Sequence, residues 1–334
     1  MKKIIVILLC ALIIIPQTGC GKEDQISDTG FYLDTTCKVT IYNIEKDKGE
    51  ELTKKALEKC GEYEDILSKT VKGSDVYKIN SAGGKAVKVS NDTIKVIKLG
   101  LEMSKDSGGK FDITVGRITD LWDFKSKHPK VPSDAKLQAA VATVDYKQVK
   151  IKGNNVSLGN AETKIDLGAV AKGYIADRIT DYLKDEGVEQ AIINLGGNVV
   201  AIGSKTDQTP WNIGIERPYS DRSEVIGSTP VSDSAVVTSG IYERKFKVNG
   251  KLYHHIIDPA TGYPVENDVE AVTIVSKAGN SAKCDGFSTV SLLLGTKAGM
   301  KFMEKQDGYE ALFIDKDNKI TKTDGMEFDK SDSN

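Results

Sequence analysis

The chain is expected to fold as an α+β protein, with mixed or antiparallel sheets, packed helices and two intimate subdomains. Three observations carry that expectation. Strand-like and helix-like segments mix irregularly over 334 residues instead of alternating as βαβ units. Gly153-Asn154-Asn155 and Gly196-Gly197-Asn198 sit between apolar runs, as hairpin turns do. The Gly-x-Gly-x-x-Gly fingerprint of a dinucleotide-binding parallel sheet is absent, and there is no internal repeat or low-complexity interior.

Each element has its own signal. Cys37 to Tyr42 alternates as a strand. Residues 50–68 carry Leu52, Ala56, Leu57, Tyr63, Ile66 and Leu67 at helical spacing. Ser90-Asn91-Asp92 caps a second helix that ends near Gly108-Gly109, and residues 134–141 form a short third one. Val149 to Leu158 reads as a hairpin. A strand ends at Asp166, and a helix runs from Ala171 to Glu186, stopped by Gly187. Gln190–Leu195 and Val199–Gly203 pair around the Gly-Gly turn. Further strands are expected over 211–216, 234–238, 244–248, 252–257 and 270–276. Helices over 281–294 and 296–306 follow.

The ends carry different information. Lys2-Lys3, an apolar run from Ile4 to Ile15 and the small-residue end Thr18-Gly19-Cys20 make a secretory signal over 1–19. The twelve apolar residues are too few for a stable bilayer span. The Thr-Gly-Cys end looks like a bacterial lipoprotein box, so Cys20 is expected to take lipid. Residues 20–30 then serve as a polar tether, an extracytoplasmic domain fills 31–325, and 326–334 is a flexible tail. Removing 19 of 334 residues leaves 315, enough for a sizeable core. The net charge of −2 and the lack of a basic block argue against nucleic acid. Of five cysteines, only Cys37, Cys60 and Cys284 remain beyond the lipid site. That odd number without a C-x-x-C pair argues against a disulfide framework and leaves at most one bridge, and with only His128, His254 and His255 as histidines there is no zinc pattern.

Four segments carry chemistry. Lys164-Ile-Asp-Leu-Gly-Ala-Val-Ala-Lys-Gly173 sets Asp166, a tight turn and Lys172 at a helix start, the components of a phosphate site. The plainer alternative is an ordinary strand–helix junction. In Lys283-Cys-Asp-Gly-Phe-Ser-Thr289, Asp285 and Thr289 are four residues apart and share a helix face. A carboxylate and a hydroxyl suit Mg²⁺ or Ca²⁺, though two side chains cannot hold the ion without substrate oxygens. The alternative is a first-turn Asp that favours the helix dipole beside a packed Thr. Tyr253-His-His-Ile-Ile-Asp-Pro-Ala-Thr-Gly-Tyr-Pro264 offers His255, a neutral imidazole able to take a hydroxyl proton; Asp258 locks the turn. In Gly108-Gly-Lys-Phe-Asp-Ile-Thr-Val-Gly116, running on to Trp122, the alternative to ligand binding is burial of Phe111 and Trp122 in a core.

Together these segments resemble the ApbE family of FAD:protein FMN transferases, in family order and over most of residues 31 to 314. The resemblance implies an ApbE-like fold, FAD as substrate and Mg²⁺ as cofactor. It implies transfer of the FMN moiety to a Ser or Thr hydroxyl of an exported acceptor protein, with AMP released. The metal ligands would be Asp285, Thr289 and the main-chain carbonyl of Ala169, with Asp285 and His255 as the catalytic residues. The cofactor contacts would be Leu33, Thr70, Lys110, Phe111, Asp112, Asp166, Lys172, His255, Ile256 and Ser288. Leu33-Asp34-Thr35-Thr36 is a weaker match, and Thr70 stands where an aromatic ring often stacks on the flavin. Other readings are a pyrophosphatase that gives FMN and AMP, and a non-catalytic flavin-binding lipoprotein. A two-lobed solute receptor should show repeated βαβ units, which are absent.

Overall fold

A computed structural model describes residues 25–124, 126–220 and 224–331. The expected signal segment and Cys20 lie outside the described residues. The order is β1 (Gln25–Tyr32), β2 (Thr35–Tyr42), α1 (Lys46–Leu67), α2 (Asp75–Ser81), β3 (Val87–Lys88), α3 (Asn91–Asp106), α4 (Gly116–Trp122), α5 (Asp134–Val141), β4 (Lys150–Lys152) and β5 (Asn155–Ser157). Then come α6 (Gly168–Asp185), β6 (Ala191–Leu195), β7 (Asn198–Ile202), β8 (Trp211–Glu216), β9 (Val225–Val231), β10 (Ser234–Gly240), β11 (Lys245–Val248) and β12 (Lys251–His254). The chain ends with β13 (Val269–Lys277), α7 (Ser281–Leu294), α8 (Thr296–Met303), β14 (Glu310–Asp315), β15 (Ile320–Lys322) and β16 (Asp329–Lys330).

Eight strands form one sheet in the order β1-β2-β6-β7-β10-β13-β14-β15, and every neighbouring pair is antiparallel. Period-2 alternation splits its apolar residues between two faces. Val200, Val237, Ile274 and Phe313 turn toward the helices α1, α6 and α7. Ala201, Val236, Ala271 and Leu312 turn the other way, toward Trp211, Ile215, Ile226 and Met326 of the β8–β9 layer and the C-terminal segment. The helical core continues without a break through Ile97 and Met103 of α3 to Val156 of the small β3-β5-β4 sheet. The smaller part of the α+β fold therefore shares its core with the larger.

Several boundaries differ from the sequence reading. Gln25–Asp28, assigned to the tether, belong to β1, which pairs with β2 along its whole length. The tail is not free through 331: Met326 is buried, and Asp329–Lys330 pair with β9. Lys164 makes one parallel bridge to Val115 in place of a strand ending at Asp166, and α6 starts at Gly168. The short helices α2 and α4 and the strands β9 and β14 were not foreseen.

Candidate active site

The cleft is built where the ends of several elements converge. The β1–β2 hairpin turns through Leu33 and Asp34, both in the left-handed region at φ 56° and 58°. Such a two-residue turn matches strand twist, but it costs about 1–3 kcal/mol for each non-glycine residue. Leu33 N–H donates to Glu64 Oε2 at 3.1 Å, which ties the tip to α1. The C-terminal end of α1, the loop before α4, the start of α6, the end of β10, the segment after β12 and one face of α7 supply the other walls. They enclose a cleft of about 480 Å³, within the range of small-molecule sites.

Its most buried charge is Asp285, whose side chain is 1% exposed. Lys172 Nζ lies 3.1 Å from Oδ1, and Gly173 N–H donates to Oδ2 at 3.0 Å. Burial raises the Asp285 pKa, against the pull of Lys172 and the Gly173 amide. Gly173 is required for this approach, because a Cβ there would lie 2.3 Å from the Ser281 carbonyl oxygen. The Gly173 amide thus reaches across to α7, and Ala169, at the uncapped start of α6, lines the cleft. One turn further along α6, buried Asp177 accepts from the Ser281 and Ala282 amides at 2.9 and 3.0 Å. It thereby caps α7 and sets the register that presents Asp285.

A second network, of partly buried charge, also borders the cleft. Asp166 Oδ2 is 3.1 Å from Lys69 Nζ and accepts from Thr119 Oγ1 at 2.8 Å, while Oδ1 accepts from Gly168 N–H at 3.0 Å. Burial pushes the carboxyl up, but Lys69 and these donors hold it down, to about 2. Lys69 also bonds Asp120 Oδ1 at 2.8 Å, and Lys164 bonds Asp120 Oδ2 at 2.8 Å. His255 also lines the cleft. Burial first, then the Arg244 charge, pushes its imidazole pKa down to about 3. Its Nδ1 is buried without a hydrogen-bond partner among the described residues.

The structure brings together Leu33, Thr70, Phe111, Asp112, Asp166, Ala169, Lys172, His255, Ile256, Asp285 and Thr289 around this one cleft. Two expected contacts fall outside it. Lys110 is half exposed and its Nζ lies 3.7 Å from Asp258 Oδ2. Ser288 is fully buried, 2.7 Å from Ser239 Oγ, and donates to the Asp285 carbonyl at 2.8 Å. Asp112 reaches the cleft edge with its oxygens engaged by Thr114 and the Tyr146 amide. Trp122 is a core residue, ringed by Phe124, Phe246, Tyr253 and Tyr263, and its indole N–H donates to the Gly262 carbonyl. Sequence reasoning gave no role to Lys69, Thr119, Asp120, Glu243 or Arg244. A lysine just after a helix end was the only local signal for Lys69.

Comparison with known proteins places this geometry. The family model described as the ApbE family matches residues 33–313. The chain belongs to the ApbE family. A Klebsiella pneumoniae relative named FAD:protein FMN transferase is 35% identical over 274 residues, spanning 81% of this chain and 84% of the relative. A Treponema pallidum protein of the same name is 30% identical over 346 residues, spanning 97% and 93%. The crystal structure of the ApbE protein from Thermotoga maritima superposes with a TM-score of 0.82 at 31% identity, covering 90% of this chain and 97% of that one. The flavin transferase ApbE from Vibrio cholerae gives 0.78 at 30% identity, covering 90% and 97%.

The donor set also bears on metal. Among the described residues no three His, Cys, Asp or Glu side chains gather as a metal cluster. Asp285, Thr289 and the Ala169 carbonyl are all oxygen donors on one cleft. Such a set fits a hard cation whose remaining ligands come from water and a substrate phosphate.

Proposed function

We propose that this protein is a Mg²⁺-dependent FAD:protein FMN transferase that works outside the cytoplasmic membrane. It would pass FMN from FAD to a Ser or Thr hydroxyl of an exported acceptor, releasing AMP. The observation that carries the reading is Asp285, a carboxylate 1% exposed, paired with Lys172 and facing the same cleft as Thr289 and Ala169. Burying a charge so deeply costs several kcal/mol unless partners offset it, and unlike buried Asp177, which only caps α7, this carboxylate opens onto the cleft.

Asp285, Thr289 and the Ala169 carbonyl would hold Mg²⁺, which when bound supplies Lewis-acid neutralisation of a pyrophosphate. Lys172 adds positive charge where the leaving phosphate gains negative charge. The start of α6 adds its dipole on the same side. Asp166, with its oxygens already engaged, holds Lys69, Thr119 of α4 and the start of α6 in place. Neutral His255 accepts a hydrogen bond from an incoming hydroxyl, and the negative substrate raises its basicity as the proton moves. Cys20 would carry the lipid that keeps the enzyme at the membrane. Among the described residues no helix is long and apolar enough to cross a bilayer.

The test is incubation of the protein with FAD and Mg²⁺, with and without an exported acceptor domain. AMP release matched by an FMN mass increment on the acceptor is expected. AMP and free FMN formed equally in both arms would make it a pyrophosphatase; no AMP in either would make it a flavin carrier. Metabolic labelling with a fatty acid should mark the wild type and not Cys20→Ala; equal labelling removes the anchor.

A further inference from the structure

Beside the main cleft lies a second pocket of about 150 Å³, lined by Asp34, Thr35, Lys172, Gly196, Glu243 and Arg244. Four of these, Asp34, Lys172, Glu243 and Arg244, also line the main cleft. The two spaces therefore meet at Lys172. Thr35 and Gly196 face only the smaller one. They come from adjacent hairpin tips, since β2 and β6 are paired. At the second tip Gly196 and Gly197 have φ of 62° and 90°, a backbone without side chains. A Cβ on Gly196 would lie 2.2 Å from Thr35 Oγ1, so a side chain there would close the pocket. The Gly-Gly pair, which matches no nucleotide motif, thus keeps a polar opening clear beside Lys172.

Size and charge define the occupant. At about 150 Å³ the pocket is roughly half the smallest usual small-molecule site. It holds about five water volumes, enough for one small side chain and not for a second nucleotide. Two cationic and two anionic side chains balance one another, so the lining favours a neutral polar group over a phosphate. In-line phosphoryl transfer needs the nucleophile opposite the leaving oxygen, by a route that the bound dinucleotide does not fill.

We propose that this pocket admits the hydroxyl-bearing side chain of the acceptor protein, whose backbone passes over the Gly196-Gly197 tip. This deepens the transferase reading and rests on it. The acceptor oxygen bonds to the phosphorus of the FMN half, and the bond from that phosphorus to the bridging oxygen breaks. The hydroxyl proton leaves through the general base, and AMP departs with the bridging oxygen.

The experiment fills the pocket after folding. Thr35→Cys is nearly isosteric, Cys37, Cys60 and Cys284 are buried, and Cys20 is replaced by Ala in variant and control alike, so N-ethylmaleimide on the native variant marks position 35. The probe acceptor is the protein flavinylated by the Vibrio cholerae relative. Unlabelled Thr35→Cys gives the reference rate of FMN transfer. The labelled protein should lose transfer at least tenfold, with FAD affinity, read by flavin fluorescence, unchanged within twofold. Labelled protein that transfers as fast as unlabelled overturns the assignment. Equal loss of FAD binding also overturns it, by making the pocket part of the cofactor site. Wild type treated with the same reagent should keep its activity. If unlabelled and wild-type proteins both bind FAD yet never form adduct, the transferase reading itself fails.

Discussion

The two walls of the cleft handle charge in opposite ways. On the α6–α7 wall, Asp285 is 1% exposed and met by one ammonium and one backbone amide. In the second network, Lys69, Asp120, Asp166 and Lys164 share their hydrogen bonds, and their side chains are 20%, 38%, 22% and 41% exposed. A buried charge with few partners responds strongly to any change in them. A part-exposed network with several members redistributes a loss, because water and neighbours fill in. On the reading proposed above, the first wall serves chemistry on a diphosphate and the second holds the cleft in one shape.

Substitutions should separate the walls, beginning with the largest effect. Asp285→Ala should lower FMN transfer about a thousandfold or more at saturating FAD, measured as AMP released per minute. Activity within tenfold would show that the buried carboxylate is structural. Gly173→Ala drives a methyl against the Ser281 carbonyl and should destabilise the fold by about 1–3 kcal/mol. Tm should drop several degrees, and transfer should slow in the fraction that remains folded; an unchanged Tm would mean that the α6–α7 contact can relax. On the other wall, Lys69→Met leaves Asp166 without its cation, and FAD should bind about tenfold more weakly with kcat nearly kept. A kcat loss as large as that of Asp285→Ala would erase the distinction.

The smallest effect concerns pH. His254 and His255 are held neutral by burial, down to about 4 and about 3, against an unfolded value of 6.5. The unfolded chain binds more protons between pH 6.5 and 4, so these groups stabilise fully above 6.5 and lose that contribution as pH falls. Asp177 opposes them. Burial raises it to about 6 from 3.8, so its contribution is present below 3.8 and is lost as pH rises through 6. Thermal melts from pH 7 to 4.5 should therefore show a modest drop in Tm for the wild type and a steeper one for Asp177→Asn. Parallel curves would exclude the opposition.

Much of the first wall could be read in the sequence, because its residues lie within short strips. Asp285 and Thr289 are one helical turn apart, and Ala169 and Lys172 follow Asp166 within six residues. Spacing along one element decides what they face. Ser288 lies a step off that face, and its hydroxyl sits against Ser239. The second wall was hidden because its contacts are long-range. Lys69 meets Asp120 across 51 residues and Asp166 across nearly a hundred, and no local pattern encodes that. The fold shows the same contrast. Amphipathic helices and glycine hairpins announced themselves, whereas β16 owes its existence to tertiary packing. Buried Met326 and the Phe328 ring beside Gly227 hold there a segment whose composition is that of a loose end.

The central claim is that oxygens from α6 and α7 gather one divalent ion against the diphosphate of FAD. Calorimetric titration of FAD into the protein, with and without Mg²⁺, tests it most directly. Mg²⁺ should tighten FAD at least tenfold in the wild type and leave Asp285→Ala unaffected. Equal FAD affinity with and without the metal in the wild type, or the same gain in Asp285→Ala, would contradict the account.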